Sequence, residues 1–158
     1  METTPRSEMR IITVRQPWAW AIIHGGKDVE NRVRNIAGNY RGPVAIHTAA
    51  SMLATFDPSH PHLWPVKGEH KLGAIIGVVD LVGVHQGHNT EQDRFKAVRS
   101  CFQPGKLFGP CSEWAQPDAW HLELANPRPL EKPIPFKGAL GLRRLDEDTM
   151  RQIEEQLA

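Results

Sequence analysis

At 158 residues, 40% of them hydrophobic and 23% charged with a formal net charge of +1, the chain has the size and apolar content of one ordinary globular domain. The near-neutral balance excludes the strongly basic signature of a protein that binds nucleic acid over its whole surface, so an anionic ligand has to be met by a local cluster. Two cysteines are too few for a disulfide scaffold, no stretch reaches the ~18 apolar residues of a membrane span, and METTPRSEMR is not followed by the apolar region of a secretory signal; a cytoplasmic protein with no membrane partner is expected.

Residues 1–9 are polar and hold Pro5, which predicts a flexible tail ahead of a single domain over 10–158. Ile11–Val14 reads as a strand from its β-branched residues, and Pro17 stands where a first helical residue would, its fixed φ and missing N–H harmless there. A helix follows through Trp18, Ala19, Ala21, Ile22 and Ile23, and Gly25-Gly26 ends it, because glycine adopts the left-handed conformation that closes a helix. Lys27 to Arg32 then alternates around Val29 with the period of a strand. If Val29 faces a core, Asp28, Glu30 and Arg32 share the opposite face, beside Lys27. Between positions 27 and 41, the cations Lys27, Arg32, Arg34 and Arg41 outnumber the carboxylates Asp28 and Glu30 by two.

Arg41-Gly42-Pro43 is a turn signal before a strand at Val44–His47, and Ala49–Phe56 reads as a short helix. Residues 57–71 form a Pro- and His-rich excursion of the length that is more often functional than structural. Leu72–Val84 is the most apolar stretch, and its β-branched residues and glycines predict a long, bent central strand. Asp80 inside it either meets solvent at a kink or points into a polar site. Thr90–Arg99 has helical spacing, Phe102–Asp118 is irregular, and Ala119–Ala125 alternates as a half-buried strand does. The prolines of Asn126–Pro135 suggest an extended connection, Phe136–Leu145 contains another strand around Gly138–Leu145, and Asp146 opens an amphipathic helix with Met150, Ile153 and Leu157 on one face. About six strands and three helices are too few for two full sheets. A small β-rich set of this kind tends to close on itself, which removes its edges, so the expected class is α+β built on a small barrel, with a helix between strands one and two and another at the C-terminus.

Lys27 beside Glu30 and Arg32 permits two chemistries. Charged, Lys27 and Arg32 clamp a phosphate, Arg32 through its planar fork; partly neutral, Lys27 serves as a base while Glu30 orients water. The same corner is equally consistent with salt bridges that only stabilise the barrel. Trp18 and Trp20, two apart, point in different directions, and an exposed one offers a stacking surface for a base. Tyr40 is a second stacking face and His47 a polar group at a strand end. His85, His88, Cys101, Cys111 and His121 fall in one region but show no C-x-x-C or H-x-x-x-H pair, so no metal and no cofactor is expected. No nucleophile elbow or phosphate-binding glycine loop is present.

Three motifs together carry a resemblance: Arg15-Gln16-Pro17-Trp18-Ala19, then Gly26-Lys27-Asp28-Val29-Glu30-Asn31-Arg32, then Tyr40-Arg41-Gly42 leading into Val44–His47. They resemble the signature of the ASCH domain family, of the GxKxxExR type found in coactivator-like members. The Trp120 strand and LEKPIPFKGALGL fit its C-terminal part. The resemblance implies a PUA-like barrel and a cleft between the first helix and the barrel, lined by Lys27, Glu30, Arg32, Arg15 and Gln16, with Trp18, Tyr40, Arg41 and His47 as further nucleic-acid-binding candidates. Members are regarded as RNA- or nucleic-acid-binding modules, and one bacterial branch hydrolyses the acetyl amide of N4-acetylcytidine with a lysine that Lys27 matches and a threonine three residues later. Glu30 occupies that threonine position. Binding of single-stranded RNA or a nucleotide is therefore the leading expectation, ahead of a hydrolase acting on a modified nucleoside or RNA through Lys27 and Glu30, and ahead of a protein-interaction module.

Overall fold

The computed structural model describes residues 8–51, 60–63, 70–87, 111–116 and 119–158. Strand β1 (Arg10–Val14) is followed by α1 (Trp18–His24), β2 (Val29–Arg32), β3 (Gly42–Thr48), a 3-10 turn at Pro61–Leu63, β4 (Ala74–Gln86), β5 (Trp120–Pro135), β6 (Leu142–Arg144) and α2 (Glu147–Leu157). The strands form one curled, half-barrel sheet in the order β2-β5-β4-β3-β1-β6. Only β1 and β3 run parallel, because α1 and β2 lie in the connection between them; every other pairing is antiparallel. The expected α+β, PUA-like barrel of about six strands with a helix between strands one and two and a C-terminal helix is what the chain forms.

The period of two decides which helix each strand residue meets. Ile12, Val14, Val44, Ile46, Ile76 and Val79 face α1, packing on Ala19, Ile22 and Ile23. Ile11, Ala45, Ile75 and Val78 face the other way, onto Met150 and Ile153 of α2. Gly77 is what lets α1 approach β4 so closely: a Cβ there would lie 2.6 Å from Ile23 Cδ1 and 2.7 Å from the Arg128 carbonyl oxygen. Asp146 caps α2, its carboxylate accepting from the Thr149 backbone N–H at 2.9 Å.

The long bent strand expected at Leu72–Val84 is β4, shifted two residues, with register shifts between Ile75 and Gly77, Val78 and Asp80, and Leu81 and Gly83. Asp80 faces β5, where Arg128 Nη2 donates to it at 2.9 Å and Asn126 Nδ2 at 3.2 Å. The stretch Asn126–Pro135 is not a connection but the second half of β5. Its prolines are tolerated because β2 begins with Val29 opposite Glu123 and pairs only back to Trp120, leaving the half of β5 past Glu123 without a strand on its outer side, and because its ladder with β4 is interrupted by register shifts. The strand expected around Gly138–Leu145 is the short β6, Leu142–Arg144, preceded by an irregular segment. Ala49–Ser51, expected to start a helix, is not helical, and residues 52–59 and the Thr90–Arg99 helix lie outside the described residues. Of the expected tail, residues 1–7 lie outside too, whereas Met9 is buried and its carbonyl accepts from Leu145 N at 2.9 Å. Among the described residues no helix is long and apolar enough to cross a membrane.

Candidate nucleotide-binding cleft

The site begins where α1 ends. Gly26 takes φ +77°, a left-handed conformation, and Lys27 N donates back to Ala21 O at 3.0 Å, so the chain doubles under the helix and carries the Lys27 side chain inward. That side chain is 4% exposed, and Nζ donates to Val29 O and, at 3.2 Å, to Glu30 Oε1. The period-two alternation puts Val29 in the core and aims Glu30 and Arg32 to the other side of β2. Glu30 Oε2 accepts from Arg32 Nε at 3.1 Å and from Nη2 at 2.8 Å. The same Nη2 donates to Thr13 O at 2.8 Å, joining the edge strand β2 to β1 across the mouth of the half-barrel. Glu30 thus lies between two cations, and the corner is a hydrogen-bonded ion triad rather than a pair of unengaged positive charges.

This triad forms part of the floor of an open cleft of about 1480 Å³. One wall carries a Thr13–His47 pair. His47, 2% exposed, donates from Nε2 to the Phe136 carbonyl at 2.6 Å, since that oxygen only accepts, and its Nδ1 accepts from the Thr13 hydroxyl at 3.0 Å. Gly138 closes over the pair. A Cβ there would meet Thr13 Oγ1 at 2.4 Å and His47 Cε1 at 2.6 Å. The other wall is aromatic: Trp18 meets Trp114 edge-on at 6.4 Å, and His60 stacks on Trp114 at 4.2 Å. Asn31 of β2 holds this wall, Nδ2 donating to Trp114 O at 2.9 Å while Oδ1 accepts from Gln116 N at 2.8 Å. Arg15 and Lys137 are exposed at the rim. Among the described lining residues, four cations (Arg15, Lys27, Arg32 and Lys137) face two carboxylates (Glu30 and Glu113).

Of the residues singled out in the sequence, Arg15, Trp18, Lys27, Glu30, Arg32 and His47 come together in this cleft. Gln16, Tyr40 and Arg41 are not among its lining residues. Gln16 is 1% exposed and braces the start of α1, Oε1 accepting from Trp20 N at 2.8 Å and Nε2 donating to Lys71 O at 3.0 Å. Tyr40 donates to Pro43 O at 2.7 Å, with Arg10 over its ring at 4.9 Å. Burial, then the nearby Glu8 charge, pushes the Tyr40 phenol above its ordinary value. Arg41 Nη1 donates to the carbonyls of Tyr40 at 2.6 Å and Gly38 at 3.1 Å. Thr13, Trp114 and Lys137 went unmarked in the sequence. Only Thr13 carried a signal, as the one polar residue in the apolar run Ile11–Val14. Outside the cleft lining, His85, Cys111 and His121 also converge, while His88 and Cys101 lie outside the described residues.

Known proteins bear on the fold. The crystal structure of a tyrosine-to-phenylalanine variant of the ASCH protein of Zymomonas mobilis aligns over 94% of this chain and 98% of that one, at 17% identity and a TM-score of 0.53. The unsubstituted Zymomonas mobilis ASCH protein aligns over 93% and 94%, at 16% identity and a TM-score of 0.51. A serine-to-alanine variant of it aligns over the same shares, at 17% identity and 0.51. At such identities the likeness is one of fold. No curated protein is similar enough to the chain to count as a match. The ASCH domain family model, however, matches residues 12–134, which span β1 through nearly all of β5 and so every strand that builds the cleft floor; the chain belongs to the ASCH domain family.

Proposed function

We propose that the cleft binds single-stranded RNA or a nucleotide. The observation that carries this is the joining, in one open cleft, of rim cations to an aromatic wall over a charged floor. Arg15 and Lys137 supply exposed charge for phosphates, and Arg32, whose side chain is 26% exposed, adds its fork from the floor. Trp18 offers a ring for a base; such a stack is worth about 1–3 kcal/mol per base. Lys27 contributes through Glu30: held at 3.2 Å, it balances the carboxylate that would otherwise repel an anion. A cleft of about 1480 Å³ exceeds the roughly 300–1,000 Å³ of a typical small-molecule pocket, which favours a short strand over an isolated base.

The test is fluorescence-anisotropy titration of labelled single-stranded RNA at two salt concentrations. Binding that weakens with salt is expected, and Arg15→Ala and Lys137→Ala should each reduce the slope of log K against log salt by about 0.7. Absence of binding at low salt, or slopes unchanged in both variants, refutes the proposal.

A hydrolytic activity on a modified nucleoside or on RNA is the second reading. It is favoured by the buried Lys27–Glu30 contact at 3.2 Å and by the Thr13 hydroxyl facing His47 Nδ1 at 3.0 Å, a hydroxyl with a proton acceptor already in place. Incubation with N4-acetylcytidine and with RNA, followed by chromatography, should give products that disappear in Lys27→Ala; no product above that control rejects it.

A further inference from the structure

We propose that His85, Cys111 and His121 form a zinc site that fastens the 111–116 segment, and with it the Trp114 wall of the cleft, to strands β4 and β5. His85 and His121 are directly opposite each other in the β4–β5 ladder, so both rings reach the same side of the sheet, and Cys111 arrives from the loop before β5. One ligand atom from each of the three lies within 4.8 Å of the others.

The hydrogen bonds around these rings set their tautomers for metal binding. His121 Nε2 lies 2.6 Å from the Gln116 carbonyl oxygen, which only accepts, so Nε2 carries the proton and Nδ1 presents a lone pair. His85 Nδ1 lies 3.2 Å from Glu123 Oε2, so Nδ1 carries the proton and Nε2 presents the lone pair. These two lone-pair nitrogens face each other at 3.1 Å, and Cys111 Sγ stands 3.4 Å from His121 Nδ1. In the neutral rings those lone pairs repel, and either a proton on His85 Nε2, giving an imidazolium beside Glu123, or a metal ion shared by both nitrogens relieves this. Zinc bonds of about 2.0–2.1 Å to nitrogen and 2.3 Å to sulfur in a tetrahedron give N···N and N···S edges of about 3.3 and 3.5 Å; the His85–His121 and Cys111–His121 spacings are close to these, and the third edge, His85 to Cys111, lies within 4.8 Å. A carboxylate or carbonyl holding the far nitrogen of each histidine is the usual support of such a ligand.

Gly83 belongs to the same device. It pairs with Glu123 across the ladder, and a Cβ on it would lie 2.2 Å from Glu123 Oε2. Only glycine leaves the space through which the Glu123 carboxylate reaches His85. Two histidines and a thiolate, a mixed nitrogen and sulfur set, suit Zn²⁺ better than Mg²⁺ or Ca²⁺, which take oxygen ligands. Because Gln116 and Trp114 are five residues or fewer from Cys111, a metal held there would tie the cleft wall to the sheet.

The full chain, stripped with a chelator and dialysed, is titrated with Zn²⁺ and separately with Co²⁺. One equivalent of Zn²⁺ should bind. Co²⁺ should give intense tetrahedral d–d bands and a thiolate-to-cobalt charge-transfer band that Cys111→Ser abolishes. Glu123→Gln and Gly83→Ala should weaken Zn²⁺ about 10–100-fold by disturbing the support of His85, and His121→Ala should weaken it further. Zn²⁺ should also slow alkylation of Cys111, read on its own peptide by mass spectrometry so that Cys101 does not confuse the result. No stoichiometric Zn²⁺ uptake, a cobalt complex without a charge-transfer band, or uptake unchanged by Cys111→Ser and Glu123→Gln would overturn the proposal. The last two variants lie at partly exposed positions, so they decide the matter even if His121→Ala fails to fold.

Discussion

Replacing Glu30 by glutamine removes the anion from between Lys27 and Arg32 while keeping the shape of the side chain. Arg32, with a side chain 26% exposed and a second acceptor in Thr13 O at 2.8 Å, can turn toward water. Lys27, 4% exposed, cannot, and is left with the Val29 carbonyl and an amide in place of its counter-charge. Breaking a buried ion pair by removing one partner costs about 3–5 kcal/mol; the surviving Val29 contact places this case near the lower figure. With an unfolding entropy of about 2.1 cal/mol/K per residue, a chain of 158 residues should lose roughly 9 °C of Tm for about 3 kcal/mol. The double variant Lys27→Met with Glu30→Gln removes the stranded cation and should recover part of the loss. Thermal unfolding followed by circular dichroism reads both. A Glu30→Gln shift below about 2 °C, or a double variant less stable than the single by the full effect of Lys27→Met alone, would show that Glu30 does not hold Lys27 as described.

Gly77→Ala places a methyl against both Ile23 and the Arg128 carbonyl, and since the backbone cannot yield, overpacking should cost about 1–3 kcal/mol or more in urea unfolding; an unchanged midpoint would mean that α1 is not seated on β4. Asp80 and Asp146 have carboxyls held below their ordinary value, Asp80 first by its Arg128 hydrogen bond and Asp146 first by the Thr149 N–H. A depressed folded pKa contributes stability that is present above the unfolded value, about 3.9, and is lost as pH falls through the folded value. Asp146→Ala should therefore lower stability by about 0.5–2 kcal/mol at neutral pH and flatten the acid limb of the stability curve; an unaltered acid limb would contradict the cap. Tyr40 is the only tyrosine, so phenolate absorbance reports it alone. Its midpoint should lie above about 10 in the folded protein and return there in denaturant; a folded midpoint at or below the denatured one would exclude the burial seen.

The parts of the fold that were legible are those fixed by neighbours in sequence. Ile11–Val14, Leu72–Val84 and the Met150–Ile153 face show their period directly, and Gly25-Gly26 marks the end of α1. The second half of β5 was not legible, because Pro127 and Pro129 argue against a strand until β2 is known to cover β5 only from Trp120 to Glu123. The same division runs through the cleft. Lys27, Glu30 and Arg32 are within six positions on one strand and its approach, so alternation brings Glu30 and Arg32 together and the turn at Gly26 delivers Lys27 beside them. Thr13, Trp114 and Lys137 reach the cleft from separate parts of the sheet and its loops, by register and crossover that no local pattern contains. Gln16, although adjacent to Arg15, turns inward because its amide satisfies the exposed start of α1.

The proposed cross-strand zinc site draws its ligands from positions that spacing along the chain does not link. A zinc finger takes paired ligands from one turn, and its motif is therefore short. In this sheet His85 and His121 are 36 positions apart yet directly opposite in the ladder, so the pairing that matters is set by the bulges of β4. The shift between Leu81 and Gly83 advances β4 by one residue and brings His85 rather than its neighbour to His121, while Gly83 clears the way for Glu123. A one-residue slip would send His85 to the other face. The register that closes the half-barrel is therefore also the register that sets His85 against His121, where Cys111 of the loop that carries Trp114 meets them.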